Sequence, residues 1–400
     1  MHSLVRDIII QNVEYEILPY QFLLLTFWGI WYPQNWSLWA ANIQKSYFVF
    51  ISFLDIIICT EMLIFFINSF GTSNFKLINF FFVSANITGV YKAIKLMLNR
   101  KMIREFLLTY FDADWRTPKD KIEQKIHDDI NAKIKRVTLI YSVSMLGIVM
   151  MKAMSPLTGS NSVSLPVEAW YPYKVEKTSW YWLTYLHQCI LGSSAVCAHI
   201  GIDTLFMGLL LKTSYQLEVL KHRLRSLNIS LLSLNGKGST LSIENEKMLI
   251  IECIKYHQRI YSFGKKLNDK FQDILIILVV SSLPNICINI YALSTYTSRT
   301  KIDIIATLFC TTSAFMQFFI ACWFGNEITW NSINVRDALY DLDWTVFNLD
   351  SQKLFIFIMT RSMRPMQFKI GYLLSLNLDS FIKIIKASYS SFNILQQTTH

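Results

Sequence analysis

Charge is scarce in this 400-residue chain: Asp, Glu, Lys and Arg make up 16% of it, while 52% is hydrophobic and falls in long blocks. A soluble domain carries about a quarter charged residues, so a water-soluble fold is excluded. Seven cysteines are present, but none forms an outer-loop pair: Cys59, Cys189, Cys197, Cys287, Cys310 and Cys322 lie in apolar runs and Cys253 in a polar connection. No disulfide framework is expected. Enzyme signatures are missing as well. His187, Cys189, Cys197 and His199 lack zinc-ligand spacing, and there is no phosphate-binding glycine loop or nucleophile elbow. No catalytic residue, metal site or cofactor is expected. Neither Asp-Arg-Tyr nor Asn-Pro-x-x-Tyr occurs, and the absence of any internal or inverted repeat disfavours a secondary transporter.

What remains is an all-α membrane protein. Seven apolar segments, 47–70, 77–98, 137–154, 181–211, 271–293, 302–324 and 370–395, each approach or exceed the roughly 20 residues that a bilayer demands. The connecting loops are lopsided in charge. One side carries only Lys76, Lys174, Lys177, Arg299 and Lys301, and the other more than five times as many Lys and Arg. Cytoplasmic loops retain basic residues, which predicts a cytoplasmic N-terminus and an extracellular C-terminus, the reverse of a G-protein-coupled receptor. The net charge of +10 raises the question of nucleic acid. The 100–136 loop, however, mixes 10 basic with 7 acidic residues, so a solvated cytoplasmic face beside lipid is expected instead.

The chain reads as one seven-helix domain. Residues 1–46 form a cytoplasmic or interfacial lead-in. Within it, Phe22 to Tyr32 follows acidic Glu14 and Glu16 and has no cleavage site, so it resembles an interfacial or re-entrant segment more than a signal peptide. Residues 212–270 and 325–369 continue the spans as cytoplasmic anchor helices. Leu217, Leu220, Leu224 and Leu227 recur at helical spacing, Asn235-Gly-Lys-Gly238 interrupts, and Ser242 reads as the N-cap of the next helix. Leu354, Phe355 and Ile358 offer an apolar partner. Such an anchor joins subunits or merely bundles within one chain; the pattern leaves both open. The outer loop between spans three and four, with Pro156, Pro166, Trp170 and Pro172, is either a cap on a cavity or a plain connector.

Charges inside spans are costly and mark functional candidates. Lys92, Lys95 and Lys152 sit near span ends and are expected to snorkel. Asp55, Glu61 and Asp203 have no evident partner and should face the interior. Span seven, 370–395, interleaves polar residues such as Ser375, Asn377, Asp379, Lys383, Lys386, Ser388 and Ser390 with apolar ones, and Asp379 and Lys383 are spaced to pair. It is a pore wall or a helix buried against polar neighbours. The outer halves of spans two, three, four and six are rich in aromatic, Met, Ser and Thr residues: Phe80, Phe81, Ser84, Ser144, Ile148, Met151, Tyr185, Phe309 and Thr312, with Cys189 beside them. A cavity of this kind suits a small apolar or weakly polar molecule; the same residues also serve as packing.

The last quarter carries Tyr340-Asp-Leu-Asp-Trp344, Arg361-Ser-Met-Arg-Pro365, Gly371-Tyr-Leu-Leu-Ser-Leu376 and Phe381-Ile-Lys-Ile-Ile-Lys-Ala-Ser-Tyr-Ser390. With the inverted seven-span layout, these segments resemble the insect odorant receptor family. The resemblance implies a ligand-binding subunit of a heteromeric, odorant-gated, non-selective cation channel. It would assemble with a shared co-receptor as a heterotetramer around span seven, in the plasma membrane of sensory neuron dendrites, with no G protein required. It also implies an odorant pocket among spans two to six, with Ser144, Gly147 and Met151 on one face of span three, and a gate near Ser390, Asn393, Ile394 and Gln397. The co-receptor's long insertion between spans four and five is missing, which points to a tuning subunit. A gustatory-type receptor channel is the nearest rival.

Overall fold

The computed structural model describes residues 13–70, 77–158, 164–175, 179–234, 240–294, 301–343, 346–371 and 374–398. Short helices α1 (Val13–Ile17) and α2 (Pro19–Phe27) lead into α3 (Leu38–Ser69) and α4 (Ile78–Leu98). Then come α5 (Arg100–Tyr110), α6 (Ala113–Arg116) and the long helices α7 (Lys121–Thr158), α8 (Ser179–Leu234), α9 (Thr240–Ser294) and α10 (Lys301–Tyr340). The chain closes with α11 (Leu349–Ser362), the strands β1 (Lys369–Ile370) and β2 (Leu374–Ser375), and α12 (Leu378–Thr398). Among the described residues, six helices are long and apolar enough to cross a membrane: α3, α4, α7, α8, α9 and α10. With α12, whose 21 residues rise about 31 Å, the protein is a seven-helix, all-α membrane protein.

The helices differ in what they face. In α8, 94% of the most apolar 18-residue stretch is buried; in α3, only 17%. Thus α8 is the central post, while α3 exposes Phe50, Phe53, Ile56 and Ile67, as an apolar solvent permits. The lead-in segment packs one face on the bundle: Tyr15, Leu18, Phe22, Leu25 and Trp31 are almost wholly buried, and Gln21 donates to Thr138 Oγ1 at 2.8 Å, while Tyr20 and Phe27 are exposed. Trp39, 76% exposed, does face outward.

At one end the helices run on past the apolar spans and meet as a bundle, the anchor. Leu217, Leu220, Leu224 and Leu227 are buried in one apolar core with Ile260, Phe263 and Leu267 of α9 and with Phe355 and Ile358 of α11. Within one chain the seam is therefore intramolecular. Phe263 collects Phe106, Tyr110, Phe111 and Trp115 at centroid distances of 4.9 to 5.5 Å, tying α5 and α6 to α9. Glu123, 2% exposed, is held by Arg223 at 2.7 and 3.1 Å. Helix α9 starts at Thr240, so Ser242 lies inside its first turn and does not cap it; the Gly-rich break at 235–238 lies outside the described residues.

His257 in the anchor is 2% exposed, packs edge-on against Tyr261 at 4.9 Å, and its Nε2 has no hydrogen-bond partner. Burial, and then the nearby Arg361 charge, push its pKa from 6.5 down to about 4. The unfolded chain takes up this proton first as pH falls. The histidine's contribution to stability is thus intact above pH 6.5 and is lost between 6.5 and about 4, by at most about 1.4 kcal/mol per pH unit. Thermal melts of purified wild type and His257→Phe should diverge in slope only below pH 6.5; parallel curves would show that the imidazole is not buried neutral.

The seventh span is corrected at its start. It begins at Leu378, not at residue 370, because β1 and β2 pair antiparallel, Lys369 with Ser375 and Ile370 with Leu374, around Gly371 at φ +58°. Asn377 then caps the helix, its Oδ1 accepting from Ser380 N at 2.9 Å.

A cavity roofed by the interhelical loop, and the family of the chain

At the bundle end away from the anchor, α4, α7, α8, α9 and α10 enclose a cavity of about 120 Å³. Each contributes a stripe at helical spacing: Phe81, Phe82 and Ala85 from α4; Met145, Ile148, Val149 and Lys152 from α7; Cys189, Gly192, Ala195, Val196 and His199 from α8. Helix α9 adds Ser282 and Asn285, and α10 adds Ser313, Ala314 and Gln317. The walls are mainly apolar, and each helix adds polar residues: Asn86 and Thr88 on α4, Lys152 on α7, Gln188 and His199 on α8, with those of α9 and α10.

The loop at 164–175 roofs this space. Pro166 and Val167 line it, and Gln188 of α8 pins them: its Oε1 accepts from Val167 N at 3.0 Å, and its Nε2 donates to Val167 O and Tyr171 Oη at 2.9 Å each. Asn79 Nδ2 donates to Glu168 at 2.9 Å, and Trp170 N to Glu61 O at 3.1 Å. A buried Gln meeting both groups of a backbone residue holds a loop closed. The loop is a cap.

Below the cavity lies a cluster of charge. Asp203 of α8 accepts from Lys92 Nζ at 2.7 Å, Tyr141 Oη at 2.9 Å and Gln317 Nε2 at 2.6 Å, so one carboxylate joins α4, α7, α8 and α10. Lys92 is 1% exposed and does not snorkel, which corrects the expectation for it; Asp203, without an evident partner in sequence, has three donors. His199 Nε2 donates to Ala85 O at 2.9 Å. Asp55 accepts from Ser194 Oγ at 2.9 Å, and Lys95 pairs with Asp273 at 2.7 Å. Lys152 sits over the Phe82 ring at 5.0 Å, at the cavity wall.

Of the residues singled out in sequence, Phe81, Ile148 and Cys189 line the cavity. Phe80 turns to Phe66, with centroids 5.9 Å apart, and Ser84 is half-buried outside the wall. Ser144 Oγ donates to Tyr141 O at 2.9 Å; Tyr185 Oη donates to Ala153 O at 2.7 Å; Thr312 is exposed on the outer surface. On α7 the cavity is lined by Met145, Ile148 and Lys152, one residue or about 100° round the helix from Ser144, Gly147 and Met151, which do not line it. Gly147 meets α10: a Cβ there would lie 2.5 Å from the Phe309 ring. Span five, outside the stripes expected from sequence, also faces the cavity, and Ser281, Ser282, Pro284 and Asn285 interrupt its apolar run. A proline and polar cluster within a span was the available signal.

Helix α12 packs on α9 and α10. Ser380, Ile384, Ser388 and Phe392 are buried, Ser388 Oγ donates to Leu283 O at 3.2 Å, and Phe381 meets Phe319 at 5.2 Å. The opposite stripe, Asp379, Lys383, Lys386, Ser390, Ile394 and Gln397, is exposed, with Asn393 half-buried beside it. Asp379 and Lys383 share this stripe, but among the described residues neither enters an ion pair within 4 Å.

Residues 72–389 match the family model of the 7tm odorant receptor. The chain belongs to the odorant receptor family. This is a family of receptors and not of enzymes. Among similar proteins, Odorant receptor Or1 of Anopheles gambiae is 25% identical over 94% of each chain. Odorant receptor 30a of Drosophila melanogaster is 22% identical, over 96% of this chain and 97% of the relative. The solved olfactory receptor OR5 of Machilis hrabei, in complex with eugenol, has the same fold: TM-score 0.81 at 16% identity, covering 98% of this receptor and 100% of OR5.

Proposed function

We propose that this odorant receptor is the ligand-binding subunit of an odorant-gated, non-selective cation channel, formed as a heterotetramer with the shared co-receptor. The cavity is its odorant site. Phe81, Ile148 and Cys189 are contacts in this reading, and Met145, Asn285, Ser313 and Gln317 join them. The N-terminus and anchor face the cytoplasm, as the loop charge asymmetry argues, in the plasma membrane of sensory neuron dendrites.

One observation carries the proposal: the helices walling the cavity are the helices on which α12 rests. On α9, Ser282 and Asn285 face the cavity while the Leu283 carbonyl accepts from Ser388 of α12. On α10, Gln317 faces the cavity while Phe318 and Phe319 meet Phe381. Pro284 falls in this very turn and supplies no N–H to the Val280 carbonyl, so α9 is least stiff where the two surfaces are closest. The exposed stripe of α12 lines the pore, with Ser390, Asn393, Ile394 and Gln397 at the gate. A ligand shifts the gate only by its differential affinity for the open arrangement. Apolar Leu349, Ile356 and Phe357 on α11 and Met363 just after it, 54–71% exposed, are available for subunit contact.

The test is current from cells expressing the receptor with and without the co-receptor under a panel of volatiles. Odorant-evoked cation current is expected only in co-expressing cells, and Ile148→Trp, which fills the cavity, should abolish it with surface expression kept. Silence of the wild type at the cell surface, or ligand uptake without conductance, would reject the channel reading.

A further inference from the structure

Several polar side-chain atoms on the cavity wall are spent on the protein itself. Asn86 Nδ2 donates to Phe82 O at 2.9 Å, Thr88 Oγ1 to Ala85 O at 3.0 Å and Ser282 Oγ to Leu278 O at 2.5 Å. Three enclosed ones are without a partner, and two of them, Asn285 Oδ1 and Ser313 Oγ, belong to residues 8% and 1% exposed on the α9 and α10 walls. The Nδ1 atom of His199, also unpartnered, lies 3.9 Å from Asp203 Oδ2 and belongs to the charge cluster. Buried polar atoms left unmade cost stability that a fitting ligand restores.

We infer that the cavity selects a neutral hydroxyl compound, a phenol or alcohol on a small apolar body, whose hydroxyl donates to Asn285 and accepts from Ser313. This rests on the cavity being the odorant site. A hydroxyl both donates and accepts, so it satisfies the pair whichever way the Asn285 amide is turned. An ether, ester or ketone oxygen only accepts and leaves an enclosed acceptor unmet. A hydrocarbon meets neither. A cationic amine would enter a wall that already carries Lys152. Sites built to hydrogen-bond a hydroxyl reject the analogue lacking it far more strongly than apolar pockets distinguish methylenes.

The experiment uses para-cresol, its methyl ether and toluene, together with hexanol and hexyl methyl ether. Binding is read by thermal shift of the purified full-length receptor, and current in cells that also express the co-receptor. At least one hydroxyl compound should bind tenfold or more tightly than its own methyl ether. Asn285→Leu should shrink that ratio below about threefold while toluene binding holds or improves, and Ser313→Ala should shrink it in the same direction. Ethers binding as well as their hydroxyl parents, a preference surviving both variants, or no binding of either hydroxyl compound would overturn the inference. Selective binding without current sinks the channel reading and leaves this inference standing; equal currents from all five compounds do the reverse.

Discussion

Lys92→Met is expected to remove most folded receptor from the membrane, although it deletes one charge and keeps a side chain of similar length. Lys92 and Asp203 meet at 2.7 Å and are 1% and 5% exposed, so neither reaches water. Removing one partner of such a pair costs about 3–5 kcal/mol, because the other charge stays buried without its counter-ion. Tyr141 and Gln317 still donate to the carboxylate, but neutral donors do not replace a cation. Asp203→Leu should be as damaging, stranding Lys92 and leaving both donors unmet. The double variant Lys92→Met with Asp203→Leu should recover part of the loss, since replacing a buried ion pair by apolar groups is often nearly neutral. The recovery should be incomplete, because Tyr141 and Gln317 remain unsatisfied. Size-exclusion profiles and thermal midpoints of the three full-length variants measure this. Wild-type stability in Lys92→Met, or strictly additive losses in the double variant, would mean that the pair is not coupled as described.

The second large effect is expected at Gly325. A Cβ there would lie 2.2 Å from the Leu376 carbonyl oxygen and 3.0 Å from Leu376 Cβ. Leu376 has nowhere to retreat: it is 1% exposed, its N–H donates to Phe368 O at 2.7 Å, and Asn377 follows it as the cap of α12. Gly325→Ala must therefore push the β1–β2 hairpin off α10 and move the base of the last helix. The overpacking should cost about 1–3 kcal/mol, and evoked current should fall more than tenfold at equal surface expression. Gly147→Ala is the control. Its Cβ would meet the Phe309 ring at 2.5 Å, but a half-buried ring can swing aside where backbone cannot. Its loss should be clearly smaller, and a larger loss than that of Gly325→Ala would contradict the account of the hairpin as the fixed point of α12.

Sequence by itself determined the membrane class, the number of spans and the anchor seam, because each follows from properties summed along the chain. Long apolar runs have one stable environment, and Leu217, Leu220, Leu224 and Leu227 leave a helix no other face to bury. The polar stripe of α12 was legible for the same reason. Tertiary structure decided whatever depends on helix rotation and on partners far apart in sequence. It set the rotation of α7, placing Met145, Lys152 and the expected Ile148 on the cavity wall and Ser144, Gly147 and Met151 off it. It gave Lys92 a counter-ion 111 positions away instead of a path to the headgroups, and made a roof of the loop at 164–175 through Gln188. It also brought Asn285 into the cavity wall. One step along a helix is a 100° turn, so a pattern of period 3 and 4 fixes a stripe but not its azimuth. Only the packing of five helices around a shared space sets that.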